Sequence, residues 1–480
     1  MAPHEPLDWK NIFAKVQKHV PLATPTAKPD GAAKPDRAAT LRSETGRLTH
    51  LDAEAARQIV SHFARPVNVV NGEADYNLAD PIVATSHGRL SVDPLPPPVG
   101  DLSPTNREAI GHYGVHLYLD GLLHLPLSVA RELSRHRGHL YLDAIRTITD
   151  AVAAELGQHR GGGLSLNNLR HLSTAASRSL AQHEGELSLD RIPSLNPRHA
   201  IELSQHASSL YLGQLAGLSS LCAAALAQHR GTLFLNGLAD LSGPVARHLA
   251  RHAGQLHLHA VSMLSEEAAE ALSLRQGYLC LKGVCQLPSP QAKWLCLHRG
   301  PLFLGGLFAI NDTAADWLGT HVGSLEIRVS DTITHEQLIQ LTKHKGPLRL
   351  NGLHTLSVEQ ARIVAAQNGF AGLTLNDLKH LSPAAAGILS RHAGGGLWLD
   401  GLTNLSEELA SQLVKHPLLS LNGIESVSDS VARILSTHVG GTLSLRKLRG
   451  VSDAGFRQLC GHPDIELPTP SSRTIVANRR

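Results

Sequence analysis

Cys280, Cys285, Cys296 and His298 are the residues whose types first suggest chemistry, because thiolates and imidazoles together make zinc sites. Their spacing matches no compact zinc finger. Cys280 falls at an outward strand position, whereas Cys296 and His298 fall at a helix end. They are expected to be ordinary thiols and an ordinary imidazole, with no metal and no cofactor. A second candidate is a column of histidines. One His recurs just after an apolar helical pattern at His62, His87, His112, His136, His159, His183, His206, His229 and His252. The series resumes at His298, His321, His344, His392, His416, His438 and His462. These are 16 of the 30 histidines, mostly at steps of 23 or 24 residues. Arg275 and Asn368 stand in the two gaps of double length. A metal needs ligands converging at about 2.0–2.2 Å, and single side chains one strand spacing apart do not converge. Such a column is expected to bond the last carbonyls of helices. It is also expected to weaken the fold below about pH 6, where stacked imidazoles begin to charge and repel. The glycine runs 161–163 and 394–396 precede strands, whereas a phosphate loop follows a strand and opens a helix. They are expected to be helix stops. No nucleophile elbow, carboxylate pair or kinase signature occurs. No catalytic residue is therefore assigned, and the chain is expected not to be an enzyme.

The histidines set the phase of a repeat, and with Arg275 and Asn368 they define 18 units of about 23 residues. The unit that starts at Leu233 shows the parts. Leu233 and Leu235 alternate with Phe234, which predicts a short strand. Asn236-Gly237 turns the chain, and Leu238 and Leu241 anchor the connection. Ser242 is placed to cap a helix, as are Ser103, Thr149, Ser173, Ser219, Ser265, Ser357, Ser382, Ser406 and Ser452. Pro104, Pro197 and Pro383 fall at the first helical position, where a missing N–H costs nothing. Val245, Ala246 and Leu249 make the inward stripe. His252 closes the helix, and Gly254 is expected in the left-handed conformation that stops it. One unit cannot bury its own apolar face, whereas stacked units can.

The resulting pattern, L-x-L-x-x-L-x-x-[LIV]-[ST]-x-x-x-A-x-x-L, resembles the leucine-rich-repeat superfamily. It is most similar to the cysteine-containing subtype. Ile148-Thr149-Asp150, Val427-Ser428-Asp429 and Val451-Ser452-Asp453 reproduce that subtype's I-T-D element. The resemblance covers about residues 46 to 467. It departs in two ways: Leu122, Leu238, Leu307 and Leu402 stand in the cysteine column, and the repeat is about three residues shorter. The resemblance implies an α/β fold, a right-handed leucine-rich-repeat-like solenoid with one parallel inner sheet and helices on the outer face. It also implies a sheet face presented to a protein partner.

The domain reading is a solenoid over 46–467, preceded by an amphipathic helix and a Pro/Ala-rich linker in 1–45 and followed by a loose tail in 468–480. The helix carries Leu7, Trp9, Ile12, Phe13, Val16 and Val20, and is expected to cap the first repeat or dock a partner. The first two repeats are degenerate, and a proline-rich interruption at 94–100 separates the second from the third. A formal charge of +3 without long basic runs speaks against nucleic acid. The five scattered cysteines fit a reducing compartment. With no signal peptide and no membrane span expected, the chain reads as cytoplasmic.

The middle residue of each strand triplet points away from the core. Six of the 17 aromatic residues fall in these 18 positions, which is the pattern of a recognition surface. The expected contact set is Tyr118, Tyr141, Tyr211, Phe234, His257, Phe303, Arg349 and Trp398. Glu326 and Arg349 are expected to pair with each other across strands. The leading expectation is a non-enzymatic scaffold that binds a protein partner. The alternatives are a structural, self-associating rod, or a His-ladder sensor of pH or metal.

Overall fold

The computed structural model describes residues 117–119, 121–366 and 372–468, together with residues 53, 56, 57, 69, 70, 73 and 74. The amphipathic helix, the linker, the proline-rich interruption, residues 469–480 of the tail, His62, His87, His112, Asn68, Ser91, Ser103, Pro104 and Asn368 lie outside the described residues. Two compact units are present. One ends at Leu238 and takes in His252–Gln255; the other comprises Ala239–Arg251 and runs on from Leu256.

In the first unit, six two-residue strands begin at Leu117, Leu140, Leu164, Leu187, Leu210 and Leu233. Each lies parallel to the next, with leucine opposite leucine. In the second, ten strands from Leu256–His257 to Ile465–Glu466 repeat the same register. A helix of seven or eight residues joins each strand to its successor, as Asp150–Leu156 does. In most repeats Asn, Asp or Gly follows the second leucine and turns the chain, which keeps the strands short; His259, Lys282, Arg328 and Arg446 stand at that place in others. Val69–Val70 and Glu73–Ala74 differ: they pair antiparallel with one another.

Burial explains why each unit needs its neighbours. Leu187, Leu189, Ile192, Ala200 and Leu203 are all at most 2% exposed. A buried leucine gains roughly 1.5–3 kcal/mol over an exposed one, and here the covering surface belongs to adjacent repeats. The ladder adds directional bonds: Leu187 N–H donates to Ser209 C=O and Leu189 N–H to Tyr211 C=O, both at 2.9 Å.

The punctuation is partly as expected. Thr149, Ser173, Ser219, Ser265, Ser357, Ser382, Ser406 and Ser452 each accept the N–H of the residue three positions on. Pro197 and Pro383 open their helices. Ser242 occupies the N-cap but makes no side-chain capping bond. Ser382→Ala is therefore expected to cost about 1 kcal/mol in chemical denaturation, and Ser242→Ala distinctly less. Equal losses would contradict this assignment.

Gly254 also departs from expectation. Among the described glycines only Gly352, Gly372 and Gly440 have positive φ. Gly254 is needed for close approach instead, since a Cβ there would lie 1.9 Å from the carbonyl oxygen of Gly231. The reason is geometric: these loops stack backbone on backbone, at a separation that admits no side chain.

Candidate functional site

The parallel register places the outward residues of successive strands side by side. Tyr118 lies flat on Tyr141 with ring centroids 4.2 Å apart and planes 4° apart. Tyr211 lies on Phe234 at 4.1 Å and 4°. All four residues are half-buried, and His139 also stacks near Tyr141, at 6.2 Å and 16°. Ser165 and Ser188 stand on the two strands between these pairs. Carboxylates gather around the rings. Burial pushes the Tyr141 hydroxyl up, and Tyr118, Glu186 and Asp143 push the same way. Burial, then Glu186 and Asp190, do so for Tyr211.

In the second unit the expected contact residues do not form one cluster. Phe303 folds over Gly305, and Trp398 lies over Gly372 and Gly396, where any Cβ would meet the ring. Cys280 and Glu326 are the strand neighbours of Phe303, while Thr374 and Ser420 are those of Trp398. Arg349 stands 3.8 Å from Glu326, as an internal pair should. Glu326 also accepts a hydrogen bond from Asn351 Nδ2 at 2.7 Å. His257 faces His259 and Cys280, and the ligand atoms of these three lie within 4.8 Å of one another. Among the described residues, Cys285, Cys296 and His298 do not join Cys280 in such a group.

Beside the aromatic column runs a row of Asp and Asn residues whose role is not apparent from composition. Asp143 Oδ1 accepts from Ser165 Oγ at 2.6 Å and from Asn167 N–H at 2.9 Å. Asn167 Oδ1 accepts from Asp190 N–H, and Asp190 Oδ1 from Gly213 N–H. The same relay recurs through Asn376, Asp400 and Asn422. Each side chain thus satisfies a backbone donor of the following repeat, one that a two-residue strand leaves over.

The histidine column lies inside the molecule. His136, His159, His183, His206, His229 and His252 are at most 3% exposed. Their rings stack at 5.2 Å between His159 and His183 and at 5.8–6.2 Å elsewhere. In the second unit His298, His321 and His344 continue the pattern at 6.1 and 5.8 Å. The carbonyls they approach belong to the preceding repeat as well as their own. His183 Nδ1 lies 2.7 Å from His159 O, and His438 lies 3.1 Å from Val414 O through Nδ1 and 3.0 Å from Gly441 O through Nε2. The other rings face backbone groups of the same two kinds: His206 faces Ala181 and Ser209, His298 faces Arg275 and Pro301, and His321 faces Cys296, Gly300 and Ser324. Burial is the first cause that lowers these groups, with neighbouring histidines adding to it. His159 falls to about 3, and His206, His298, His344 and His416 to about 4. Arg275 fills a histidine place at 1% exposure. Its guanidinium donates to Leu249 O at 3.5 Å and Tyr278 O at 3.4 Å, again a preceding helix and a carbonyl three residues on.

A parallel ladder of L-x-L strands, one short helix per repeat and a buried leucine core define the class: the described chain has the architecture of a leucine-rich-repeat array. Solved structures similar to it include a leucine-rich-repeat protein of Leptospira interrogans, at 18% identity over 74% of this chain and 95% of that one, with a TM-score of 0.37. An internalin of Listeria monocytogenes matches at 15% identity over 62% and 83%, with a TM-score of 0.34. The TLR13–ssRNA13 complex matches at 14% identity over 72% and 60%, with a TM-score of 0.36. At these TM-scores none of the three bears on the partner or activity of this chain. No protein-family model matches the sequence, and no curated protein matches it. Among the described residues, no helix is long and apolar enough to cross a membrane.

Proposed function

We propose that the chain is a non-enzymatic scaffold that binds a protein partner on the sheet face of its first unit, through the rows Tyr118–Tyr141 and Tyr211–Phe234. The observation that carries this is the pair of stacked, half-exposed aromatic rows on that face. Half-exposed aromatic rings are costly to leave in water and are the usual anchors of interfaces. Asp143, Glu186 and Asp190 set the sign of the surroundings. Aromatic faces also stack on nucleobases, but an acidic rim repels phosphates. It attracts lysine and arginine, which in addition bind aromatic faces. The favoured partner is therefore a protein surface carrying basic side chains. His257, Phe303, Arg349 and Trp398 belong to the same outward column of the second unit and are secondary contacts in this reading.

The test is affinity capture with the full chain against a Tyr118→Ala, Tyr141→Ala, Tyr211→Ala, Phe234→Ala quadruple variant with an unchanged circular dichroism spectrum. Partners recovered with the wild type are expected to disappear with the variant and to weaken with salt. Equal recovery of every partner, or self-association indifferent to the four substitutions, would overturn the proposal.

A further inference from the structure

We propose that His257, His259 and Cys280 form a binding site for a soft divalent transition metal, zinc being the ion whose preferences match this donor set. The site follows from strand geometry. His257 ends its strand, and His259 follows two residues on in the turn. The parallel register sets Cys280 directly beside His257. The three ligand atoms consequently lie within 4.8 Å of one another. A tetrahedral zinc ion with N and S ligands holds them roughly 3.4–3.6 Å apart, which small side-chain rotations reach. The two imidazoles meet edge to face, 5.5 Å apart and 72° between planes, rather than stacked. That arrangement lets two ring nitrogens aim at one point.

The donor chemistry selects the ion. Two imidazoles and one thiolate suit zinc or cobalt(II) and give magnesium or calcium no oxygen ligands. Cys280 is 2% exposed, whereas both histidines are half-exposed. Both ring nitrogens of His257 are buried as well, so the ion sits below the surface of the sheet face. Three protein ligands and one open position are the makings of a site that can take a water or a partner's side chain.

Charge is arranged around the triad from several elements. Arg275 faces His257, and Lys282 faces His259 and Cys280. Glu326 faces Cys280 from farther along the sheet, and Tyr278 touches both Cys280 and the ring of His257. The two cations disfavour a bare ion. The thiolate formed on binding offsets part of this: Cys–SH and M²⁺ yield the thiolate–metal bond and one H⁺, with no change in oxidation state.

Cobalt(II) titration of the full chain reads the site directly, because only a thiolate ligand gives a sulfur-to-cobalt charge-transfer band. The wild type is expected to saturate at one equivalent with that band. Cys280→Ser should abolish it, and His259→Asn should weaken binding at least ~10-fold. Cys285→Ser, outside the triad, should leave the titration unchanged. Metal-free circular dichroism of each variant separates lost ligation from lost fold. Absence of the band in the wild type, or its persistence in Cys280→Ser, would overturn the assignment.

Discussion

Lowering the pH from 7 to 5 is expected to unfold the chain in a steep, proton-linked transition. In the first unit, His159, His183, His206 and His229 all have lowered values, with burial as the leading cause. In the second, His298, His321, His344, His392 and His416 do as well. The sign follows from linkage. A histidine whose folded value lies below its unfolded value near 6.5 binds its proton more readily in the unfolded chain. Its stabilising contribution is complete above about pH 6.5 and is lost as the pH falls toward the folded values of about 3 to 4. By pH 5 the loss is about 2 kcal/mol for each of His159, His206, His298, His344 and His416, whose folded values are about 3 to 4, or about 10 kcal/mol for the five together. That equals the whole stability of an ordinary domain, about 5–15 kcal/mol. Circular dichroism should show the collapse between roughly pH 6 and 4.5, and His206→Gln should move its midpoint to lower pH while removing one proton from the measured uptake. A melting temperature that stays flat from pH 8 to pH 5 would refute the ladder's role.

A second large effect is expected from a single methyl group. Gly185→Ala puts a Cβ 1.8 Å from the carbonyl oxygen of Gly162, and both sides of that contact are backbone. No rotamer change relieves it, so two repeats must separate locally. The cost expected in denaturant unfolding is at least 1–3 kcal/mol. Gly217→Ala is the matched control, since nothing lies within 4 Å of its Cβ and its φ is ordinary. There the same change should be neutral or stabilise by about 0.4–1 kcal/mol, through the unfolded state. Similar losses at both positions would mean that propensity, not repeat spacing, sets the requirement for glycine.

Much of the fold was legible because each repeat restates the same local rules. The Leu-x-Leu phase located every strand of the parallel ladder, and the register then made Tyr118 meet Tyr141 and Tyr211 meet Phe234. The pairing of Glu326 with Arg349 followed from the same register. What was not legible depended on the distance between repeats. Whether Gly254 serves by left-handed φ or by close approach is decided by the Gly231 carbonyl 23 residues away. The depth of the histidines, and hence the strength of their response to acid, required the neighbouring helices. The triad of His257, His259 and Cys280 spans two repeats, and residue spacing along one chain does not show it. The expectation of ordinary thiols was framed on Cys280, Cys285, Cys296 and His298, and so passed over His259.

The Asp/Asn relay has an evolutionary consequence. Each of its side chains serves the next repeat's backbone, so the bond from Asn167 to Asp190 N–H is of the same kind as that from Asp400 to Asn422 N–H. Within either run of such repeats, a unit copied or excised whole leaves its neighbours with equivalent donors and acceptors at the seam. Such a gene can change its copy number by unequal recombination without inventing new contacts, and its reading surface lengthens or shortens in whole steps. The histidine and glycine columns obey the same translation, so selection is left free to act on the outward strand residues one repeat at a time.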